Sequence, residues 1–159
     1  MFNVGDKIVY PMHGAGVIES IEEREILGQK QKYYILKMPI GDMKVMIPID
    51  NVDDIGIREV IKDDDVEKVL LVFKDREDHA NSNWSKRYRE NMTKIKSGDI
   101  YEVADVVRSL MLRENEKGLS TGERKMLNNA KQILISELVL AKDLTQDEVE
   151  DSINECLGI

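Results

Sequence analysis

The residues best suited to binding chemistry lie between positions 83 and 96. This stretch holds the only tryptophan of the chain, Trp84, and five basic residues against one acid, within a chain of formal net charge -8. An indole ring can stack on a base or wedge between bases, and basic side chains attract phosphates. An acidic chain that gathers positive charge around its one tryptophan is therefore predicted to present both to an anionic partner. Nucleic acid is the partner that this combination favours.

Helical periodicity offers a competing interpretation of Trp84. One apolar stripe of the predicted helix spans an arc of about 80° at roughly 100° per residue, which is typical of a core face. The members of this stripe are Trp84, Tyr88, Met92 and Ile95. The place of Trp84 in the first turn, after a polar loop, instead favours a ring that leans out past the end of the core. Its basic neighbours would then either contact phosphates or form a solvated helix face.

Composition limits the class of protein. The chain has 159 residues, 42% hydrophobic and 34% charged, which suits one domain or two small ones. No apolar run approaches the roughly 18–20 residues that span a bilayer. A single cysteine, Cys156, fits a reducing compartment, so we expect a cytoplasmic protein. With two histidines and no nucleophile–base constellation, the sequence predicts no metal site and no enzyme activity.

The first 58 residues have the pattern of a small β domain. Turn residues separate four β-rich runs, which are residues 7–10, 17–21, 33–38 and 43–47. Runs of this length and spacing predict a strongly bent sheet or an SH3-like barrel, a module that more often binds than catalyses.

Residues 63–159 have the pattern of an all-α bundle of about five helices. The predicted helix starts are the acidic run at 63–65, Asn83, Asp99, the capping box from Ser120 to Glu123, and Thr145. The sequence therefore predicts an α+β chain in which a β domain precedes a helical domain.

Four motifs in this order resemble the CarD family (CdnL type) of bacterial transcription regulators. They are residues 4–14 (VGDKIVYPMHG), 83–88 (NWSKRY), 97–99 (SGD) and 117–127 (KGLSTGERKML). The resemblance covers nearly the whole chain.

This resemblance implies a function that composition alone does not provide. The β domain is expected to be Tudor-like and to dock on the β subunit of RNA polymerase. The helical domain is expected to contact promoter DNA, without reading its sequence, at the upstream edge of the transcription bubble. Trp84 corresponds to the family's wedge against the opened duplex, and Lys86, Arg87 and Arg89 occupy positions that contact the DNA backbone. The resemblance further implies a monomer, associated with the nucleoid through polymerase, that stabilises the promoter open complex without a cofactor or enzyme chemistry.

One departure from the family pattern lies at the edge expected to face polymerase. The family pattern has two arginines there, and Arg24 matches the first. Met46 occupies the second position, and Lys44 lies two residues away on the same strand face. The docking surface is therefore expected to be either completed by Lys44 or more apolar around Met46.

Two other classes of function fit the residues. The chain could be a non-catalytic adaptor between proteins, with Trp84 as an interface or core residue. It could also be an RNA binder that uses the β domain.

Overall fold

A five-stranded antiparallel sheet forms the first part of the computed structural model, which describes residues 1–159. The strands are β1 (Lys7–Tyr10), β2 (Gly14–Ile26), β3 (Gln29–Lys37), β4 (Lys44–Pro48) and β5 (Arg58–Glu59). Their order across the sheet is β4-β3-β2-β1-β5, so β4 is an edge strand. The predicted α+β fold with a leading β domain is confirmed.

Alternating side chains on the sheet form a small core of their own. Its buried members are Ile8, Ile18, Tyr34, Leu36, Met38, Ile47 and Val52. The last of these begins the short helix α1 (Val52–Ile55), which ends at Gly56 in the left-handed conformation. Apolar side chains on one face of β1, β2, β3 and β4 are thereby removed from water, which supplies the hydrophobic stabilisation of a small sheet.

The second strand is much longer than the run predicted at 17–21. It continues to Ile26 and turns back into β3 through Leu27 (φ 53) and Gly28 (φ 79), as a two-residue hairpin loop requires. The segment 22–25 is charged and largely exposed, so it has no alternation of apolar and polar residues to predict a strand. This part of β2 is held in the sheet by its backbone pairing with β3.

Five α-helices follow the sheet, as predicted. They are α2 (Asp63–Leu71), α3 (Trp84–Lys96), α4 (Ile100–Glu116), α5 (Thr121–Lys142) and α6 (Gln146–Leu157). The predicted caps are also confirmed, because the side chains of Asn83, Asp99, Ser120 and Thr145 each accept a backbone hydrogen bond at a helix start. None of the helices combines the length and apolar character needed to cross a membrane.

Helix α5 joins the sheet to the bundle. The buried carboxylate of Glu137 accepts hydrogen bonds at 2.7 and 2.8 Å from the guanidinium of Arg58, and one at 2.9 Å from the Ile61 amide. The Ser136 hydroxyl accepts a hydrogen bond from the Ala15 amide at 2.9 Å. A Cβ at Gly14, whose φ is 109°, would lie 2.7 Å from Ser136 Oγ, so this close approach needs glycine. The Gly14–Gly16 stretch is thus the start of β2 and packs against α5.

Candidate nucleic-acid interface

Trp84 is the first residue of α3, and 47% of it is exposed. Its ring stacks on Tyr88 with centroids 5.2 Å apart and planes 22° apart. Its Nε1–H donates a hydrogen bond of 3.1 Å to Ser120 Oγ at the start of α5. The structure therefore contradicts the interpretation of Trp84 as a core residue. One side of the indole is anchored to the bundle and the other faces solvent.

The buried face of α3 is rotated by about 60° from the apolar stripe identified in the sequence. It consists of Arg87, Asn91 and Ile95 at four-residue spacing, while Tyr88 and Met92 lie at its edge. Two polar side chains thus point into the bundle, and this rotation decides which basic residues remain available to a ligand.

The expectation that Arg87 contacts DNA is corrected by this rotation. Arg87 is 2% exposed, and its guanidinium donates to both carboxylate oxygens of Glu123 at 2.8 and 3.1 Å. Its remaining nitrogen donates to the carbonyls of Asn81 and Ser82 at 3.1 and 3.3 Å. The guanidinium is buried and four of its five N–H donors are already used, so Arg87 is not presented to a phosphate and instead holds the loop before Trp84 against α5.

Lys86 and Arg89 are the basic side chains available beside Trp84. Both are exposed, and neither lies within ion-pair distance of a carboxylate. Arg89 makes a single hydrogen bond of 3.3 Å, to the Ser85 carbonyl in its own helix. Lys94, in contrast, pairs with Asp105 at 2.6 Å. Lys86 and Arg89 are three residues apart, so they share one face of α3 and are both free to meet phosphates there.

The three residues expected to face polymerase lie on one face of the sheet. The pairing register aligns Met46 with Ile35 and Ser20, and alternation from Ser20 places Arg24 on the same face. Lys44 shares that face but forms an ion pair with Glu19 at 3.0 Å, and Arg24 forms one with Glu22 at 2.9 Å. Met46 is 39% exposed on the edge strand β4. This face is thus a mixture of exposed methionine and neutralised charges.

The pair between Arg87 and Glu123 predicts a dependence of stability on pH. Hydrogen bonding from Arg87 holds the pKa of the Glu123 carboxyl below its ordinary value. A carboxyl group whose pKa is lower in the folded state than in the unfolded state contributes its full stabilisation at any pH above the unfolded-state pKa. That stabilisation is lost as the pH falls through the folded-state pKa. We therefore expect the free energy of unfolding, measured with urea, to decline below about pH 4.3. Glu123→Gln should flatten that decline, and identical acid slopes for the two proteins would contradict it.

A small sheet domain is thus joined through α5 to a five-helix domain, whose helix α3 presents an anchored, half-exposed tryptophan and two exposed cations. Comparison with known families identifies the class of protein to which this fold belongs. Residues 2–61 match the CarD-like/TRCF RID domain and residues 68–154 match the CarD C-terminal domain. The chain belongs to the CarD family of transcription factors, and its β domain is accordingly Tudor-like.

The chain is similar to two further proteins. The chain is 45% identical over 150 residues to the putative transcription factor YdeB of Bacillus subtilis (strain 168), covering 94% of this chain and 98% of that protein. The solved structure of CdnLNt from Myxococcus xanthus is 44% identical, with a TM-score of 0.34, and the match covers 38% of this chain and 86% of that one.

Sequence reasoning missed the partners of Trp84. Ser120 and Glu123 were recognised only as the start of a helix, and Tyr88 only as a core residue. The hydrogen bond from Trp84 to Ser120 joins residues 36 positions apart in the chain. A capping box predicts a local helix start and holds no information about a ring that lies above it.

Proposed function

We propose that this protein docks on the β subunit of RNA polymerase through its β domain and stabilises the promoter open complex with Trp84. The observation that carries the proposal is the half-exposed indole held at the start of α3, the helix that also presents the free cations of Lys86 and Arg89. Membership of the CarD family supports the choice of polymerase and promoter as partners. The protein would then act in the cytoplasm, at the nucleoid, as a monomer that performs no chemistry.

The physical basis of the proposal is selective binding to one state of the promoter. A ligand shifts an equilibrium only by its difference in affinity for the two states. A ring that fills an unstacked base step finds that step only in the opened duplex. Stacking of this kind contributes about 1–3 kcal/mol per base, which corresponds to a roughly five- to hundred-fold change in open-state population. The effect is greatest at promoters that melt weakly.

Tethering to polymerase explains how an acidic protein reaches DNA. The chain has a formal net charge of -8, which opposes approach to a polyanion. Two free cations and one ring form a local contact, and a bound polymerase would raise its effective concentration at the bubble edge. Backbone contacts of this kind do not read sequence, so promoter choice would follow each promoter's own melting equilibrium.

The docking assignment is tested by charge reversal on the β2–β3 hairpin. Arg24→Glu places an acid on the face that includes Met46 and is expected to weaken binding to the β subunit roughly ten-fold or more, because like charges across an interface are costly. Lys30→Glu is a matched control. Lys30 pairs with Glu25 across the hairpin and therefore lies on the face opposite to that of Arg24. Binding is measured by co-elution and titration with purified polymerase. Equal affinities for the two variants would remove Arg24 from the docking surface.

The phosphate contacts are tested by salt dependence. Lys86→Gln together with Arg89→Gln should lower the salt slope of open-complex stabilisation by about 0.7–0.9 for each phosphate that is no longer neutralised. Lys142→Gln is the control, because it removes a cation at the opposite end of α5, where Lys142 pairs with Glu67. The measurement is the open-complex half-life at several salt concentrations. A slope that the double variant leaves unchanged would place the phosphate contacts elsewhere.

The experiment that tests the whole proposal uses purified polymerase and a weakly melting promoter. Co-elution establishes binding, and the half-life of open complexes after a competitor challenge is compared with and without the protein. The proposal expects binding through the β subunit and longer half-lives. An adaptor that uses the exposed Trp84 as a protein-binding hot spot would bind a protein partner and leave half-lives unchanged.

A further inference from the structure

The indole of Trp84 is held by more than its own helix. Besides stacking on Tyr88, it lies against the first turn of α5, where a Cβ at Gly122 would be 3.8 Å from both rings. Its Nε1–H donates to Ser120 Oγ at 3.1 Å. An exposed aromatic side chain with a ring contact on one side and a directed hydrogen bond at its edge has a defined orientation before any ligand arrives.

The Ser120 hydroxyl is itself held in one orientation. It accepts from the Glu123 amide at 3.2 Å and donates to Glu123 Oε1 at 3.2 Å, in addition to accepting from Trp84. A hydroxyl has one donor and two acceptor positions, and all three are used here. It therefore cannot rotate away from the indole without breaking the capping box.

The same network returns to the chain just before Trp84. Glu123 is buried and bonded to Arg87, and Arg87 holds the carbonyls of Asn81 and Ser82. The start of α3 is thereby tied to the start of α5 by the indole on one side and by the guanidinium on the other.

We propose that Ser120 is a positioning residue that orients the Trp84 indole for insertion at the opened duplex. The inference rests on the proposed function, which supplies the opened duplex as the target. Pre-orienting a side chain removes the cost of immobilising it on binding. Loss of the Ser120 hydroxyl is expected to reduce open-complex half-life about two- to ten-fold, less than loss of the ring itself.

The choice of variants separates positioning from helix capping. Ser120→Gly removes the hydroxyl yet retains most of the capping preference, because glycine is a good N-cap residue. Ser120→Thr restores a hydroxyl. Thr145→Ala removes the corresponding cap of α6, where Thr145 and Glu148 form the same kind of box with no aromatic ring in contact. Trp84→Phe retains a ring and lacks the N–H group.

The first readout is fluorescence of the full-length protein without polymerase, in which the only tryptophan reports on Trp84 alone. Ser120→Gly should lower the anisotropy of emission and raise quenching by acrylamide, whereas Ser120→Thr and Thr145→Ala should resemble the wild type. Unchanged anisotropy and quenching in Ser120→Gly would overturn the inference. The same change in Thr145→Ala would also overturn it, by showing a general effect of losing a cap.

The second readout is open-complex half-life with polymerase. Ser120→Gly should shorten it about two- to ten-fold in the wild-type background and cause no further loss in the Trp84→Phe background. An equal further loss in Trp84→Phe would show that Ser120 does not act through the indole N–H. If Trp84→Ala shortens the half-life and Ser120→Gly does not, only the positioning role is wrong. If Trp84→Ala matches the wild type, the proposed function itself is wrong.

Discussion

Trp84→Ala is expected to shorten the half-life of open complexes roughly five- to a hundred-fold at a weakly melting promoter, which is the loss of about 1–3 kcal/mol of stacking. Binding to polymerase in the absence of DNA should be unchanged, because Trp84 belongs to the helical domain and the docking face belongs to the sheet. The variant should also remain folded, since the indole is already half exposed and contributes one stack and one hydrogen bond.

A matched control separates the wedge from a general loss of exposed aromatic surface. Tyr101→Ala removes another exposed aromatic ring from the same helical domain, in the first turn of α4. We expect this variant to retain the wild-type half-life. Half-lives are compared at saturating protein after a competitor challenge, so that polymerase occupancy is equal. A Trp84→Ala half-life equal to that of the wild type would contradict the wedge.

The largest expected effect on stability comes from the pair between Arg87 and Glu123. Both side chains are buried, so a substitution that removes one leaves the other without its charged partner. Breaking a buried pair in this way typically costs about 3–5 kcal/mol. Arg87→Met and Glu123→Gln are each expected to lower the free energy of unfolding by about that amount, measured by urea denaturation.

Helix α5 provides the control for this prediction. Arg124 lies next to Glu123 in the chain and pairs with Glu114 at 3.0 Å, with both side chains largely exposed. Arg124→Met is therefore expected to cost at most about 1 kcal/mol. Similar losses from Arg87→Met and Arg124→Met would show that burial does not govern the energetics of these pairs. A small loss at Arg87 would also reopen its assignment to the DNA surface.

Much of the fold could be predicted because local signals agreed with the global structure. The capping residues Asn83, Ser120 and Thr145 each begin a helix as predicted. Side chains that satisfy the free amides at a helix start act over three or four residues, so the chain itself contains the whole signal. The β2–β3 hairpin was predicted less well, because its outer half is polar on both faces and is formed by backbone pairing.

The site could be predicted only in part, because it is assembled across two helices. The sequence singled out Trp84 as a candidate, yet helical phase alone favoured a core position for it and left Arg87 on the surface. The burial of Arg87 depends on Glu123, which lies 36 positions away on α5. No periodicity within α3 specifies where α5 lies, so the actual buried face follows tertiary packing and not the apolar stripe.

The proposed mechanism requires that the protein bind the opened promoter better than the closed one. By linkage, the factor by which it favours opening must equal the ratio of its affinities for the two states. The most direct measurement is therefore its affinity for polymerase on a promoter with a pre-melted bubble, compared with the same promoter held fully paired. Binding to the pre-melted complex is expected to be roughly five- to a hundred-fold tighter, and this difference should be lost in Trp84→Ala. Equal affinities of the wild type for the two complexes would contradict it.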